Sequence, residues 1–271
     1  MRTLDRKVLR DLAASKGLLL AITSLIAVGV MCFIYMRSAY NNLGRAQTEY
    51  YEQCRMADFW IDVKKVPLAD LDLVRQLPGV SELRPRIQSF ATVDLERVAE
   101  PLNGMVLSLP DIQRPIINDI VLLSGSYFTD RRRNEVIVND TFARRQDLHP
   151  GQWIHLLVNN RREELFIVGT AMSSEFVYLV GPGALSPDPE HFGVFYVKQS
   201  YAEEIFDMDG AANQLVGVLS PDWGQRADEV LRQAEDLLSS YGVFSTTPRK
   251  DQASNRFLSD EIKGLGVFAQ L

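Results

Sequence analysis

The stretch GLLLAITSLIAVGVMCFIYM, from Gly17 to Met36, contains no Asp, Glu, Lys, Arg or His. A bilayer hydrocarbon core of about 30 Å is crossed by about 20 helical residues, the length of this stretch. A removable signal peptide would have an apolar run of about 7–15 residues and then small residues at a cleavage site, whereas bulky residues occupy positions 33–36. A buried helix of a soluble domain would keep a polar stripe. We therefore predict a transmembrane helix with Gly17 and Met36 as its limits.

The charges on either side of this stretch predict its orientation. Residues 1–16 contain five Lys or Arg, whereas residues 37–52 contain only Arg37 and Arg45. Because the more basic flank stays in the cytoplasm, we expect a cytoplasmic N-terminus and an extracytoplasmic main domain. Apolar residues recur at helical spacing within the leader, residues 1–16, which is typical of an amphipathic helix on the inner membrane surface. A plain basic topogenic leader explains the same pattern equally well.

Small side chains and overall charge indicate which partners the chain has. Gly17, Ala21, Ser24 and Val28 would share one face of the span, where a second helix could pack closely. A chance distribution of residues would give the same pattern. The chain has a net charge of −6 despite its basic leader. An acidic domain does not suit nucleic-acid binding, so the predicted partner is the lipid bilayer and not nucleic acid.

After Met36 the sequence predicts a helical stalk and then an α+β extracytoplasmic domain. Strand, helix and strand patterns follow the stalk, and the same alternation returns after a segment of short β-like runs and turns. We therefore expect a two-part domain, in which a mixed α/β subdomain is split by a β-rich insertion. The predicted parts are the leader at 1–16, the transmembrane helix at 17–36, the stalk at 37–57, the mixed α/β subdomain at 58–95 and 191–250, the β-rich insertion at 96–190, and a C-terminal stalk helix at 251–271.

Two short patterns predict local structure within this domain. Asn139 or Asp140 is expected to cap a short helix over DTFARRQDL, residues 140–148. The pair Asn159-Asn160 lies between two strand-like runs, which indicates a β-hairpin connection.

The sequence contains no recognisable catalytic or cofactor-binding pattern. The G-x-x-x-x-G-K-[ST] loop that cradles nucleotide phosphates is missing. His149, His155 and His191 form neither an H-E-x-x-H motif nor a Cys/His cluster, so we assign them structural or surface roles. Cys32 and Cys54 would be too far apart on a continuous helix to form a disulfide. We predict no catalytic, cofactor-binding or metal-binding residues, and no enzymatic activity.

Three stretches together resemble a known family. They are RDLAASKGLLLAITSLIAVGV (10–30), VRQLPGVSELRPRI (74–87) and NEVIVNDTFARRQDLHPGQWIHLLVNNRREELFIVGT (134–170). In this order and spacing they resemble the leader, first span and extracytoplasmic domain of FtsX-like ABC transporter permeases with a MacB-like periplasmic core domain.

This resemblance implies a function and a set of partners. Such a permease lies in the bacterial inner membrane, and a separate cytoplasmic ATPase subunit binds the ATP, so this chain needs no cofactor. The ATPase would drive movements of the periplasmic domain for export, extraction or mechanotransmission. A second permease, identical or different, and a periplasmic adaptor are further expected partners. The family also has more spans after the domain, so we expect the helix at 251–271 to lead to a second span.

An alternative reading requires no transport complex. The chain would then be a single-span, membrane-anchored sensor or adaptor, whose extracytoplasmic domain binds a ligand or a partner protein.

Overall fold

The computed structural model describes residues 14–95, 102–181 and 183–270, together with Lys7 and Arg10. The predicted leader at 1–16 lies mostly outside the described residues. The helices are α1 (Lys16–Gln53), α2 (Asp72–Arg75), α3 (Asp140–Arg145), α4 (Gln199–Phe206), α5 (Ala227–Leu238) and α6 (Ala253–Gln270). The strands are β1 (Phe59–Pro67), β2 (Val80–Arg86), β3 (Gln88–Asp94), β4 (Leu102–Leu109), β5 (Ile120–Gly125), β6 (Glu135–Asn139), β7 (Trp153–Val158), β8 (Arg161–Ser173), β9 (Phe192–Lys198), β10 (Ala211–Leu219) and β11 (Val243–Pro248). Short 3₁₀ turns cover Leu68–Leu71, Ser174–Phe176, Pro221–Arg226, Ser239–Tyr241 and Arg249–Asp251.

The described residues form two compact units, and the first combines the N-terminal part of α1 (to Thr48) with α6 from Ser259 onward. All side chains of residues 17–35 are exposed, including the large apolar ones. Partial burial begins at Met36 and recurs every three or four residues, which is the period of one helix face. On that face the ring of Tyr40 lies against Gly266 of α6, where an added Cβ would be 2.9 Å from Cε2. The packed part of α1 therefore begins where its apolar part ends.

The second unit, residues 49–258, contains two sheets. The smaller sheet is antiparallel, with the strand order β11-β1-β10-β2. Phe59, Ile61 and Val63 alternate along β1 and share a core with the buried face of α5. Gly217 of β10 makes room for the buried ring of Phe59, because a Cβ there would be 2.1 Å from the ring Cζ. The other face of the sheet places Trp60 in a separate apolar cluster.

The larger sheet has the strand order β5-β8-β6-β9-β4-β3-β7. Strand β7 pairs with β3 and also with the first part of β8, so the ladder closes on itself. The β4–β9 and β6–β8 pairs are parallel, and the other pairs are antiparallel. All residues of β9 are buried, as expected for a central strand of this sheet.

Two strands pair in a different sheet from the one that the expected subdomain limits imply. The limits 58–95 with 191–250 would place β3 and β9 with the mixed α/β subdomain. Hydrogen bonds instead place both strands in the larger sheet, β3 between β4 and β7 and β9 between β4 and β6. The chain therefore passes between the sheets after β2 and again after α4. Periodicity predicted the type and order of these strands, but their partners are distant in sequence and are chosen by packing.

The helix limits also differ slightly from expectation. Helix α1 ends at Gln53 and not at 57, and Arg55 adopts a positive φ of 49° just after it. Helix α6 begins at Ala253, after a 3₁₀ turn at Arg249–Asp251.

Both local predictions are confirmed, although the capped helix α3 ends at Arg145 and not at 148. Asn139, and not Asp140, caps α3, because its Oδ1 accepts from Thr141 N at 3.0 Å and Phe142 N at 3.3 Å. Asn159 and Asn160 have φ values of 47° and 59° and connect the paired strands β7 and β8. Positive φ at both central residues is the requirement of a type I′ hairpin turn.

Candidate functional site

The predicted helix-packing residues all lie on the exposed apolar part of α1. Gly17, Ala21, Ser24 and Val28 are exposed, and a Cβ added at Gly17 would have no neighbour within 4 Å outside its own helix backbone. Within the described residues, α1 is the one helix long and apolar enough to cross a membrane. The role of these four residues in helix packing, and the limits Gly17 and Met36 of the span, stay predictions.

The most distinctive cluster of the described residues is a polar network in the second unit, which we call the polar junction. It joins the end of α1, the smaller sheet, the turn after β8 and the start of α6. Its members are Tyr51, Trp60, Arg86, Glu175, Gln214, Arg249, Gln252 and Asn255.

A buried ion pair forms the centre of the polar junction. Arg86 Nη1 donates to Glu175 Oε2 and Nη2 donates to Oε1, each at 2.7 Å, and both side chains are only 3% exposed. Trp60 Nε1 donates to Glu175 Oε1 at 2.6 Å, and Arg86 Nε donates to Gln214 Oε1 at 2.6 Å. A bidentate guanidinium–carboxylate pair with further hydrogen bonds is the arrangement that a buried charge requires.

The start of α6 is hydrogen-bonded to this centre. Gln252 Nε2 donates to the Glu175 carbonyl at 2.7 Å, and Gln252 Oε1 accepts from Asn255 N at 2.7 Å. Asn255 Oδ1 then accepts from the Tyr51 hydroxyl at 3.0 Å. Because Tyr51 lies in the last turn of α1, these bonds link the end of α1, the first turn of α6 and the buried pair.

Arg249 provides a second link between the two helices. Its guanidinium donates to the carbonyls of Met56 at 2.5 Å and Ala57 at 2.8 Å, just beyond α1. It also pairs with the Asp58 carboxylate at 2.8 Å. The Arg249 carbonyl accepts from Asn255 Nδ2 at 2.8 Å, so the residue contacts both chain segments.

Hydroxyl and thiol groups beside the polar junction remain protonated at neutral pH. Burial raises the pKa values of the Tyr50 and Tyr196 hydroxyls. Burial also raises the pKa of the Cys54 thiol. A protonated, buried thiol is a poor nucleophile, which fits a structural role for Cys54.

Each of the three histidines lies beside an acidic side chain. His149 lies 3.1 Å from Asp147, and His191 lies 2.9 Å from Asp188. The hydrogen bond from His191 lowers the pKa of the Asp188 carboxyl. Within the described residues, no group of three or more His, Cys, Asp or Glu is placed to hold a metal ion.

Sequence reasoning did not identify the polar junction. Arg86 and Glu175 are 89 residues apart, and Tyr51 and Asn255 are 204 residues apart. One available signal was Arg86 itself, a charged residue in the strand-like run before the apolar Ile87. No pattern in the sequence indicated its partner.

The family comparison decides what kind of protein contains this junction. The sequence model of the MacB-like periplasmic core domain matches residues 19–237, most of the 271-residue chain. The chain belongs to this family. It is an ABC transporter permease with a MacB-like periplasmic domain and a candidate N-terminal transmembrane helix. The predicted fold class, α+β with a long apolar N-terminal helix, is confirmed.

Solved structures of low sequence identity are similar to the MacB-like chain. The extracellular domain of the noncanonic ABC-type transporter YknZ from Gram-positive bacteria is 12% identical, with a TM-score of 0.42, and the match covers 70% of this chain and 100% of that one. The periplasmic region of MacB from Actinobacillus actinomycetemcomitans is 10% identical, with a TM-score of 0.43, and the match covers 80% of this chain and 98% of that one. Curated protein sequences gave no match.

Most of the polar junction lies inside the family match. Tyr51, Arg86, Glu175 and Gln214 fall within residues 19–237, whereas α6 follows that range. In the MacB-like chain the junction therefore connects the core domain to a helix beyond it. A permease is generally the non-enzymatic component of an ABC transporter, and its family implies an ATPase partner.

Proposed function

We propose that this MacB-like chain is a mechanical element of an ABC transporter. A cytoplasmic ATPase partner would bind and hydrolyse ATP, and α1 and α6 would transmit the resulting movement to the periplasmic domain. The chain would lie in the bacterial inner membrane with its N-terminus in the cytoplasm, because its basic residues precede the apolar stretch. This movement would serve export, extraction or mechanotransmission.

The observation that carries this proposal is the link between two helix ends and one buried ion pair. Tyr51 at the end of α1 and Asn255 at the start of α6 share a hydrogen bond, and Gln252 connects α6 to Glu175. Separating one partner from a buried ion pair costs about 3–5 kcal/mol. A displacement of either helix end should therefore move the junction as a whole, which is the behaviour expected of a two-state switching element.

The exposed part of α1 supports a second permease as partner. Residues 17–35 have no covering segment among the described residues, and the small side chains of Gly17, Ala21 and Ser24 lie there. Small residues allow close helix packing in a bilayer, so a helix of a second permease, identical or different, fits this face. A periplasmic adaptor would contact the domain outside the membrane.

The proposal can be tested by hydrogen exchange of the permease reconstituted with its ATPase in nanodiscs. We expect the amides of residues 174–178 and 249–256 to exchange at different rates in the nucleotide-free and ATP-trapped states. Strand β6 lies in the core of the larger sheet and is the internal reference. Its amides should exchange at the same rate in both states. Tyr51→Phe removes the hydroxyl that donates to Asn255. One hydrogen bond contributes about 1 kcal/mol, so the nucleotide-dependent difference should fall about fivefold.

Tyr241→Phe is the matched control for this experiment. The Tyr241 hydroxyl donates to Asp70 at 2.8 Å, outside the polar junction, so this variant should respond to nucleotide as the wild type does. An equal response of both variants would contradict the proposal. Exchange rates that are the same in both nucleotide states and change only when an extracytoplasmic ligand is added would favour a single-span sensor instead.

A further inference from the structure

A cavity of about 440 Å³ opens between the smaller sheet and the loop that follows β4. Small-molecule sites typically have volumes of about 300–1,000 Å³. One wall comes from β2 and the turn and helix before it, and the other from residues 110–117 and α4. The cavity continues along Pro110 towards Ile112, which is 79% exposed. We call the whole depression the arginine groove.

The arginine groove carries an excess of positive charge. Its lining includes the four arginines Arg55, Arg75, Arg84 and Arg114, and the three carboxylates Glu82, Asp111 and Glu203. Arg55 pairs with Glu82 at 2.5 Å, and Arg75 pairs with Asp72 at 2.8 Å. Arg84 and Arg114 form no ion pair with any of the described residues, so the groove holds two guanidinium groups without a carboxylate partner.

Arg84 is a half-buried residue in the lining of the arginine groove. Its Nη1 donates to the Ile117 carbonyl at 2.6 Å and its Nη2 to the Ser108 carbonyl at 2.8 Å. Burial, assisted by the nearby Arg86 charge, lowers the pKa of Arg84 to about 9, so the group is still charged at neutral pH. A half-buried cation held only by neutral carbonyls gains more from an added anion than a solvated one does.

The walls beside these arginines are apolar and rigid. Pro85, Pro110 and Pro115 line the groove, together with Leu83, Ile116 and Ile117. Proline side chains lose little conformational entropy when a ligand covers them. An apolar wall next to unpaired guanidinium groups matches a ligand with a short apolar body and one anionic end.

We propose that the arginine groove binds a small anionic amphiphile, with its carboxylate or phosphate on Arg84 and Arg114 and its apolar body against the proline-rich wall. Glu203 accepts from Gln199 Nε2 at 2.9 Å and faces the same groove. Its charge disfavours a ligand with a second anionic group at that end. The site does not depend on the proposed transmission of movement, since a single-span sensor would contain the same groove.

The proposal is tested by calorimetric titration of hexyl phosphate into the full chain in zwitterionic nanodiscs, with empty nanodiscs as the reference. We expect saturable binding of hexyl phosphate. Inorganic phosphate lacks the apolar body and hexanol lacks the anionic group, so each should bind at least about tenfold more weakly. Arg114→Gln should weaken hexyl phosphate binding by about tenfold, the effect of one charge-assisted hydrogen bond.

Arg232→Gln is the matched control, because Arg232 is an exposed arginine on α5 that does not line the groove. It should bind hexyl phosphate as the wild type does. Arg114 is exposed and outside the core, so both variants should have the wild-type Tm. Absence of saturable binding, equal affinity for hexanol and hexyl phosphate, or wild-type affinity in Arg114→Gln would each overturn the proposal. Anionic lipid in the nanodisc will compete if the amphiphile comes from the bilayer, and will leave the affinity unchanged if it diffuses freely.

Discussion

Glu175→Gln should lower the free energy of unfolding of the periplasmic domain more than the same substitution of an exposed glutamate does. The substitution keeps the shape of the side chain and an oxygen that can accept from Trp60 Nε1. It removes the negative charge that neutralises Arg86, and both side chains of this pair are 3% exposed. Leaving a buried charge without its partner costs about 3–5 kcal/mol. Arg86→Met should cost about as much, because it leaves the Glu175 carboxylate buried.

The double variant separates charge burial from simple loss of contacts. In Arg86→Met/Glu175→Gln no buried charge remains, and Trp60 Nε1 keeps an acceptor. Two neutral groups lose a partner, Gln214 Oε1 and the amide N–H group introduced at position 175, at about 1–3 kcal/mol each. The double variant should therefore cost less than the sum of the single variants, whereas independent effects would add to about 6–10 kcal/mol.

The assay is urea unfolding of the full chain in nanodiscs, followed by tryptophan fluorescence, because Trp60 belongs to the polar junction. Glu204→Gln is the matched control. Arg133 Nη1 lies 2.6 and 2.8 Å from the two Glu204 carboxylate oxygens, but those side chains are 73% and 55% exposed. Its loss should cost about 0–1 kcal/mol. If Glu175→Gln were as mild as this control, or if the two junction variants were additive, the reasoning about the buried pair would be refuted.

Three other substitutions test the fold at separate places. Asn139→Ala removes the cap of α3 and should lower the free energy of unfolding by about 1 kcal/mol, measured by urea denaturation. Gly217→Ala places a Cβ 2.1 Å from the buried Phe59 ring, and this overpacking should cost about 1–3 kcal/mol in the same assay. Asp119→Asn should stabilise the domain at pH 7, because burial raises the pKa of that carboxyl and disfavours its ionised form. That gain should disappear below about pH 4, where the carboxyl is protonated in the unfolded chain as well, and thermal melting at pH 7 and pH 3 measures it.

Each of these substitutions has a control within the same chain. Asn139→Ser keeps a capping oxygen and should retain most of the stability that Asn139→Ala loses. Gly224→Ala adds a Cβ into space that is open to 4 Å, so its effect should stay within about 0.5 kcal/mol. A stabilisation by Asp119→Asn that persists at pH 3 would show that carboxyl ionisation is not its cause.

The parts of the fold that follow from local chemistry were predictable from the sequence. The uncharged length of Gly17–Met36 predicted a helix that could span a bilayer, and that helix is present in α1. The Asn159-Asn160 turn and the Asn139 cap were also predictable, because each depends on residues within a few positions of one another. The resemblance of short motifs in a fixed order led to the family that the comparison confirmed.

The sequence by itself thus determined the apolar helix, its charged flank, the kind and order of most elements, and the family. Tertiary structure alone decided that β3 and β9 join the larger sheet, that Arg86 meets Glu175, and that Arg84 and Arg114 line one groove. The physical reason is the range of the interactions involved. Helix period, capping and hydropathy act over a few residues, whereas sheet partners, buried ion pairs and cavities depend on segments that are brought together only when the whole domain packs.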